Sequence, residues 1–229
     1  MNPLTLHYHP LSSYCHKVLI ALDELAITTE RRIYNPGDPT ERSAYLKLWP
    51  LGKMPLLIDQ EKPVPETSTI MEHLQLHHAG PGRRLIPQDA EQALEVRLWD
   101  RLMDLYVMTP MQAFTADLLR PEAERDAPSV VRAREALQTA YALIDGHLGG
   151  RTWMAGTSFS MADCAAAPAL FYARAYVSFG PEHGHLRAYF ERLVARPSVA
   201  HTIDGARPFF KYFPGRAGLE RRFYVPESD

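Results

Sequence analysis

The stretch that most constrains this chain is Leu4 to Leu22, where an alternating segment runs through a proline into a capped apolar helix. Leu4, Leu6 and Tyr8 share one face of Leu4-Thr5-Leu6-His7-Tyr8, the period-two pattern of a half-buried strand. Pro10 ends that strand. Ser12 and Ser13 are good helix caps, and Val18-Leu19-Ile20-Ala21-Leu22 gives the following helix its apolar side. Such a chain carries a hydroxyl to a helix N-terminus, where unpaired N–H groups and the helix dipole favour an anion. A hydroxyl there can donate a hydrogen bond to a thiolate.

Downstream, residues 29–34 read as a second strand, parallel to the first after a right-handed crossover. Residues 35–40 read as a loop and 41–48 as a short helix. Leu56–Asp59 and Lys62–Val64 form a predicted hairpin around Gln60-Glu61. A helix over 67–78 is stopped by Ala79-Gly80-Pro81-Gly82. This β-α-β then β-β-α order is similar to the thioredoxin-like layout. The expected organisation is α/β plus all-α: a thioredoxin-like domain over 1–79, a linker over 80–88 and an all-helical domain over 89–229. In the second part Leu94, Leu98, Leu102 and Leu105 mark one apolar stripe, and Trp99, Met103 and Tyr106 a neighbouring one. Pro110 is expected to kink that helix. A second long helix runs from Pro128 to Leu148, turning Val130, Ala133, Leu137, Ala140, Ile144 and Leu148 inward. Others span 161–177 and 186–195, the last stopped by Pro197. Pro208-Phe209-Phe210-Lys211-Tyr212-Phe213-Pro214 should fold back on the body, because its aromatics would otherwise form an exposed patch.

Composition excludes several classes. With 46% hydrophobic and 23% charged residues, the 229-residue chain has ample core material. A net charge of -2 gives no reason to expect nucleic acid or an anionic membrane as partner. No segment reaches the ~18 uninterrupted apolar residues of a membrane span. Met1-Asn2-Pro3-Leu4 enters a strand at once and does not read as a signal peptide. Cys15 and Cys164 are the two cysteines, which is no disulfide framework, and a cytoplasmic location is expected.

Three motifs follow one another in order: Ser12 at the first helix, Gly52-Lys53-Met54-Pro55 before a strand, and Glu66-Thr67 before the next helix. Together they resemble the N-terminal half of a cytosolic glutathione transferase of the serine type. Ser158-Phe159-Ser160-Met161-Ala162-Asp163 is similar to that family's N-capping box, read here as structural. The resemblance implies a homodimer that conjugates glutathione, its co-substrate, to a small hydrophobic electrophile. It implies that Ser12 donates a hydrogen bond to the glutathione sulfur, with Ser13 and Tyr8 as alternative donors. It makes Met54-Pro55 a cis dipeptide whose backbone pairs with the cysteinyl part, and lets Lys53 reach the glycine carboxylate. Glu66 and Thr67 would hold the γ-glutamyl end. Leu11, Tyr106, Met111 and Phe114, with Phe209 or Tyr212, are the candidate wall of the second-substrate pocket.

Three other functions compete. Cys15 as a nucleophile would make a thiol–disulfide oxidoreductase, although it lies a turn into the helix and no Cys-x-x-Cys is present. A glutathione-dependent isomerase is suggested because Ser12-Ser13 resembles the start of the zeta-class motif, from which Tyr14-Cys15-His16 departs. A non-catalytic glutathione-binding scaffold is the third. Among ten histidines, His73 and His77 stand four apart, but Leu74 occupies the position of the zinc-protease glutamate. No Cys-rich ligand set completes a site, so no metal is expected.

Overall fold

The computed structural model of the protein describes residues 4–224, beginning with the strand and helix that the opening residues require. Strand β1 is Thr5–Tyr8 and helix α1 is Ser13–Leu25. Ser12 sits at the N-cap in an extended conformation, its hydroxyl accepting from the Cys15 amide at 3.3 Å. Strand β2 (Glu30–Ile33) pairs parallel with β1, and β3 (Leu56–Asp59) pairs antiparallel with its other side. Strand β4 (Lys62–Val64) pairs antiparallel with β3, giving the order β2-β1-β3-β4. Gln60 and Glu61 join β3 to β4 with φ of 49° and 70°, the left-handed pair whose twist suits a two-residue hairpin.

Helix α2 (Pro39–Leu48) separates β2 from β3, and α3 (Thr67–His77) follows β4. The start of α2 lies inside the segment read as a loop. Asp38 accepts from the Thr40 and Glu41 amides, and Pro39 fits the first turn because no donor is needed there.

The remainder is helical: α4 (Ala90–Leu102), α5 (Thr109–Leu118), α6 (Ala127–His147), α7 (Met161–Tyr176), α8 (Gly184–Ala195), α9 (Pro197–Ala206) and α10 (Arg221–Tyr224). Pro110 does not break the chain's course. A π-helical segment, Met103–Met108, leads from α4 into α5, and the Thr109 amide reaches the Asp104 carbonyl. The wider turn accommodates a proline ring that would otherwise meet the carbonyl one turn back.

The apolar stripes do not face the core as read, and already within α4 the buried face is a different one. Leu94, Leu98 and Leu105 face outward at 62%, 53% and 47% exposure, and Tyr106 is 58% exposed. The buried face is Val96, Trp99, Asp100, Met103 and Val107. Helix α9 was not read from the sequence at all. Pro197, which stops α8, also opens α9, and Arg196 is the boundary residue of both.

One apolar core spans both parts of the chain, joining Leu6, Leu22 and Leu74 to Met103, Leu170 and Phe210. Helix α1 is its centre, packed on α3, α7 and α9. A smaller cluster of Tyr34, Tyr45 and Leu56 lies apart, with Tyr34 and Tyr45 stacked at 4.0 Å. At the start of α7 the buried Asp163 carboxylate accepts from the Ser160 amide at 2.8 Å, as its Ser-x-x-Asp pattern predicts, and also from the Met154 amide at 2.8 Å. The C-terminal aromatics do fold back. Phe210 stacks on Phe171, Phe213 meets Tyr172 and Tyr176, and Tyr212 remains exposed. No helix among the described residues is long and apolar enough to cross a membrane.

Candidate active site

Sheet register brings three distant motifs to one edge. His7 stands opposite Leu56, and Leu57 opposite Val64. Continuing the two antiparallel ladders by a step or two sets Tyr8, Pro55 and Glu66 side by side, where β1 ends and α1 is about to start.

Ser12 is half-buried at this edge. As a cap its oxygen accepts from the Cys15 amide, and the hydroxyl still carries one proton it can donate. The turn before it is held by His16, whose Nε2–H donates to the Pro10 carbonyl at 2.6 Å. Burial pushes the His16 pKa down to about 4, so the ring stays neutral near physiological pH. Ser13 is buried in the first turn, and Tyr8 is half-buried at the strand end. Cys15 is fully buried, its sulfur accepting from the His9 amide at 3.4 Å. Burial pushes its thiol up to about 12, outweighing the stabilising contacts from Ser12 and His9. That is a packed thiol, not a nucleophile.

The Met54-Pro55 peptide is cis. Met54 is half-buried and Lys53 exposed, and the Lys53 carbonyl accepts from the Tyr45 hydroxyl at 2.7 Å. The stacked Tyr34–Tyr45 pair therefore fixes the loop from below. Across the edge, Glu66 has φ 66° and ψ 122°, outside the regions a non-glycine residue ordinarily occupies. A conformation of this kind costs on the order of 1–3 kcal/mol and is typical of ligand clamps. The Glu66 carboxylate does not cap α3, so the helix start carrying Thr67 keeps N–H groups for an anion.

Beneath this helix start lies a group that the sequence reading missed. Lys17 is fully buried, its ammonium 2.7 Å from Asp100, 2.8 Å from Asp104 and 3.2 Å from the Ser68 hydroxyl. Ser68 donates in turn to Asp100 at 2.5 Å. Two carboxylates thus share one ammonium under the first turn of α3. Burial, offset in part by Lys17, holds the Asp104 carboxyl above its usual range. Tyr14 is drawn into the same cluster. Burial and the nearby Asp104 carboxylate raise its phenol, Thr109 hydrogen-bonds it, and Glu66 lies close enough to act on it. A lysine directly before Val18-Leu19-Ile20, and Asp100 and Asp104 interleaved with Trp99 and Met103, were the available signals.

The four pocket candidates are placed less coherently. Leu11 is half-buried beside Ser12, Tyr106 is on the surface, and Met111 and Phe114 are buried. Phe114 stacks on Tyr176 at 5.2 Å between centroids and so belongs to the helical core. Phe209 is half-buried.

A small mixed sheet with a cis-proline strand and an uncapped helix start, backed by a helical domain, defines a thioredoxin-like protein with a helical extension. Residues 6–82 match the family described as glutathione S-transferase, N-terminal domain, and residues 99–197 match glutathione S-transferase, C-terminal domain. The chain is similar to a glutathione S-transferase from Methylobacterium radiotolerans, solved in complex with glutathione sulfonate. Identity is 30% over 87% of this chain and 93% of that one, with a TM-score of 0.74. A glutathione S-transferase from Methylobacillus flagellatus KT, solved with glutathione bound, is 27% identical over 87% and 98% of the two chains, with a TM-score of 0.79. Glutathione S-transferase 3 of Zea mays is 28% identical over 89% of this chain and 94% of its own length. The chain belongs to the glutathione S-transferase family.

Proposed function

We propose that the protein binds glutathione along this sheet edge and activates its thiol through Ser12 for attack on a small hydrophobic electrophile. The observation that carries the reading is the Ser12 hydroxyl, half-buried at the N-terminus of α1 where it caps the helix. A free thiol with a pKa near ~8.5 is mostly protonated at neutral pH, and lowering it by two units requires about 2.7 kcal/mol of preference for the anion. One charge-assisted hydrogen bond and a helix N-terminus together supply energy of that order.

The rest of glutathione follows from the neighbouring groups. The Met54 backbone pairs with the cysteinyl unit, and Lys53 meets the glycine carboxylate. The open start of α3 at Thr67 takes the γ-glutamyl carboxylate. The ammonium faces Glu66 and Asp104, one of whose buried oxygens lacks a hydrogen-bond partner. Leu11, half-buried beside Ser12, fronts the electrophile. Disulfide exchange through Cys15 is disfavoured by its complete burial and raised pKa.

The domain boundaries at 79 and 89 and a cytoplasmic location belong to the same reading, the latter supported by two free, buried cysteines. So does a homodimer. Leu76 on α3, which carries Glu72, and Leu94 and Leu98 on α4, which carries Arg97, are exposed apolar groups on the two helices that the Glu72–Arg97 ion pair joins. Conjugation of glutathione to an aryl halide tests the chemistry. Ser12→Ala should lower kcat by about 100-fold or more with a smaller change in the glutathione KM, and Cys15→Ala should retain activity. Full activity in Ser12→Ala together with its loss in Cys15→Ala would reverse the assignment.

A further inference from the structure

The far end of α3, away from Glu66 and Thr67, gathers three histidines and a carboxylate. Asp59 is the last residue of β3, His73 and His77 lie in the closing turns of α3, and His78 caps it. The Asp59 Oδ2 atom stands 2.8 Å from His73 Nε2 and 2.8 Å from His78 Nε2. These three donor atoms all lie within 4.8 Å of one another. The His77 ring is 4.6 Å from that of His73, one helical turn away, and is exposed. We infer that Asp59, His73 and His78 form a binding site for a divalent zinc-like cation, with His77 or water in the fourth position.

The donor set decides the class of ion. Two imidazole nitrogens and one carboxylate oxygen suit Zn²⁺ and its neighbours, whereas Mg²⁺ and Ca²⁺ call for oxygen donors. Tetrahedral Zn²⁺, about 2.0–2.1 Å from each ligand, separates ligand atoms by roughly 3.3 Å. The present separations to Asp59 open to that value by small side-chain rotations. Each imidazole that donates Nε2–H to this oxygen offers a lone pair there in its other tautomer, with the proton on Nδ1. A purely structural role explains one histidine on Asp59. It does not explain why three rings crowd together within 4.6–6.4 Å of one another.

The side chains are 13–25% exposed, so the site has a solvent-facing side by which an ion enters. A bound ion would fasten the end of β3 to the last turn of α3. It lies outside the glutathione edge, so its role is structural or regulatory. The sequence concealed it because Asp59 is 14 residues from His73, across a hairpin and most of a helix.

Untagged protein titrated with Zn²⁺ in a calorimeter, and with Co²⁺ as a visible-absorbing substitute, provides the test. The expected result is saturable uptake of one ion per chain, a tetrahedral Co²⁺ spectrum, and a raised unfolding midpoint with Zn²⁺. Asp59→Asn and His73→Gln should each weaken binding by at least about tenfold. Circular dichroism of both variants shows whether they remain folded. If either variant unfolds, His78→Gln in its place gives the same reading. No uptake, or uptake unchanged in the folded variants, would overturn the site and leave a hydrogen-bonded Asp–His pair among surface histidines.

Discussion

Ser12 and Cys15 sit three positions apart on one turn, and burial separates their chemistry. The serine is half-open at the helix start, while the thiol is sealed and held protonated by its surroundings. His16 connects this contrast to stability. It is fully buried and neutral, with a folded pKa of about 4 against 6.5 for the unfolded chain. Between those values the unfolded state binds the extra proton, so the contribution is complete above pH 6.5 and is lost progressively towards pH 4. A shift of that size amounts to about 3 kcal/mol. Urea midpoints measured across this window should fall with acidity, and His16→Gln, which keeps a donor for Pro10 but does not titrate, should flatten the fall. An unchanged slope in that variant would remove His16 from the account. Sequence inspection found Ser12 because a cap before an apolar helix is a local signal. It could not rank Ser12 against Ser13 and Cys15, since that ranking depends on burial by α7 and the sheet.

Among the elements, α1, α3 and the α4–π junction meet at Lys17. A fully buried ammonium held by two carboxylates is not a large net source of stability, but removing it strands both charges. Lys17→Met should therefore lower unfolding stability by about 3–5 kcal/mol, read from urea denaturation. A loss under 1 kcal/mol would show that the three groups are not coupled as their distances indicate. The same junction marks where the sequence ceased to be legible. The β3–β4 hairpin and the start of α3 were readable because turn residues and caps act over a few positions. The Lys17–Asp104 pair spans 87 residues. The π turn before Pro110 and the helix opened by Pro197 also escaped the reading, since Pro110 read as a kink and Pro197 as a stop when taken alone. Capping found Asp163 but not its partner Tyr189, 26 residues on, whose hydroxyl donates to it at 2.6 Å.

For the whole molecule, the resemblance of three ordered motifs conveyed the two-part architecture, whereas periodicity misread the outward leucines as an apolar core stripe. Leu94 and Leu98 are out of phase with the buried face, and a second copy of this chain is the proposed cover. The wild type should elute as a dimer by size exclusion with light scattering, and Leu94→Glu with Leu98→Glu should yield a folded monomer. A monomeric wild type would contradict that assembly. The central claim, that the sheet edge lowers the glutathione thiol pKa through Ser12, is tested most directly by ultraviolet thiolate absorbance. Glutathione would be titrated into wild type and Ser12→Ala at about pH 6.5, well below the pKa of the free thiol. A thiolate signal in the wild type that Ser12→Ala loses is the predicted result. A signal retained in Ser12→Ala would contradict the serine assignment and turn attention to Tyr8 or Ser13, while binding with no thiolate in either protein would contradict activation itself.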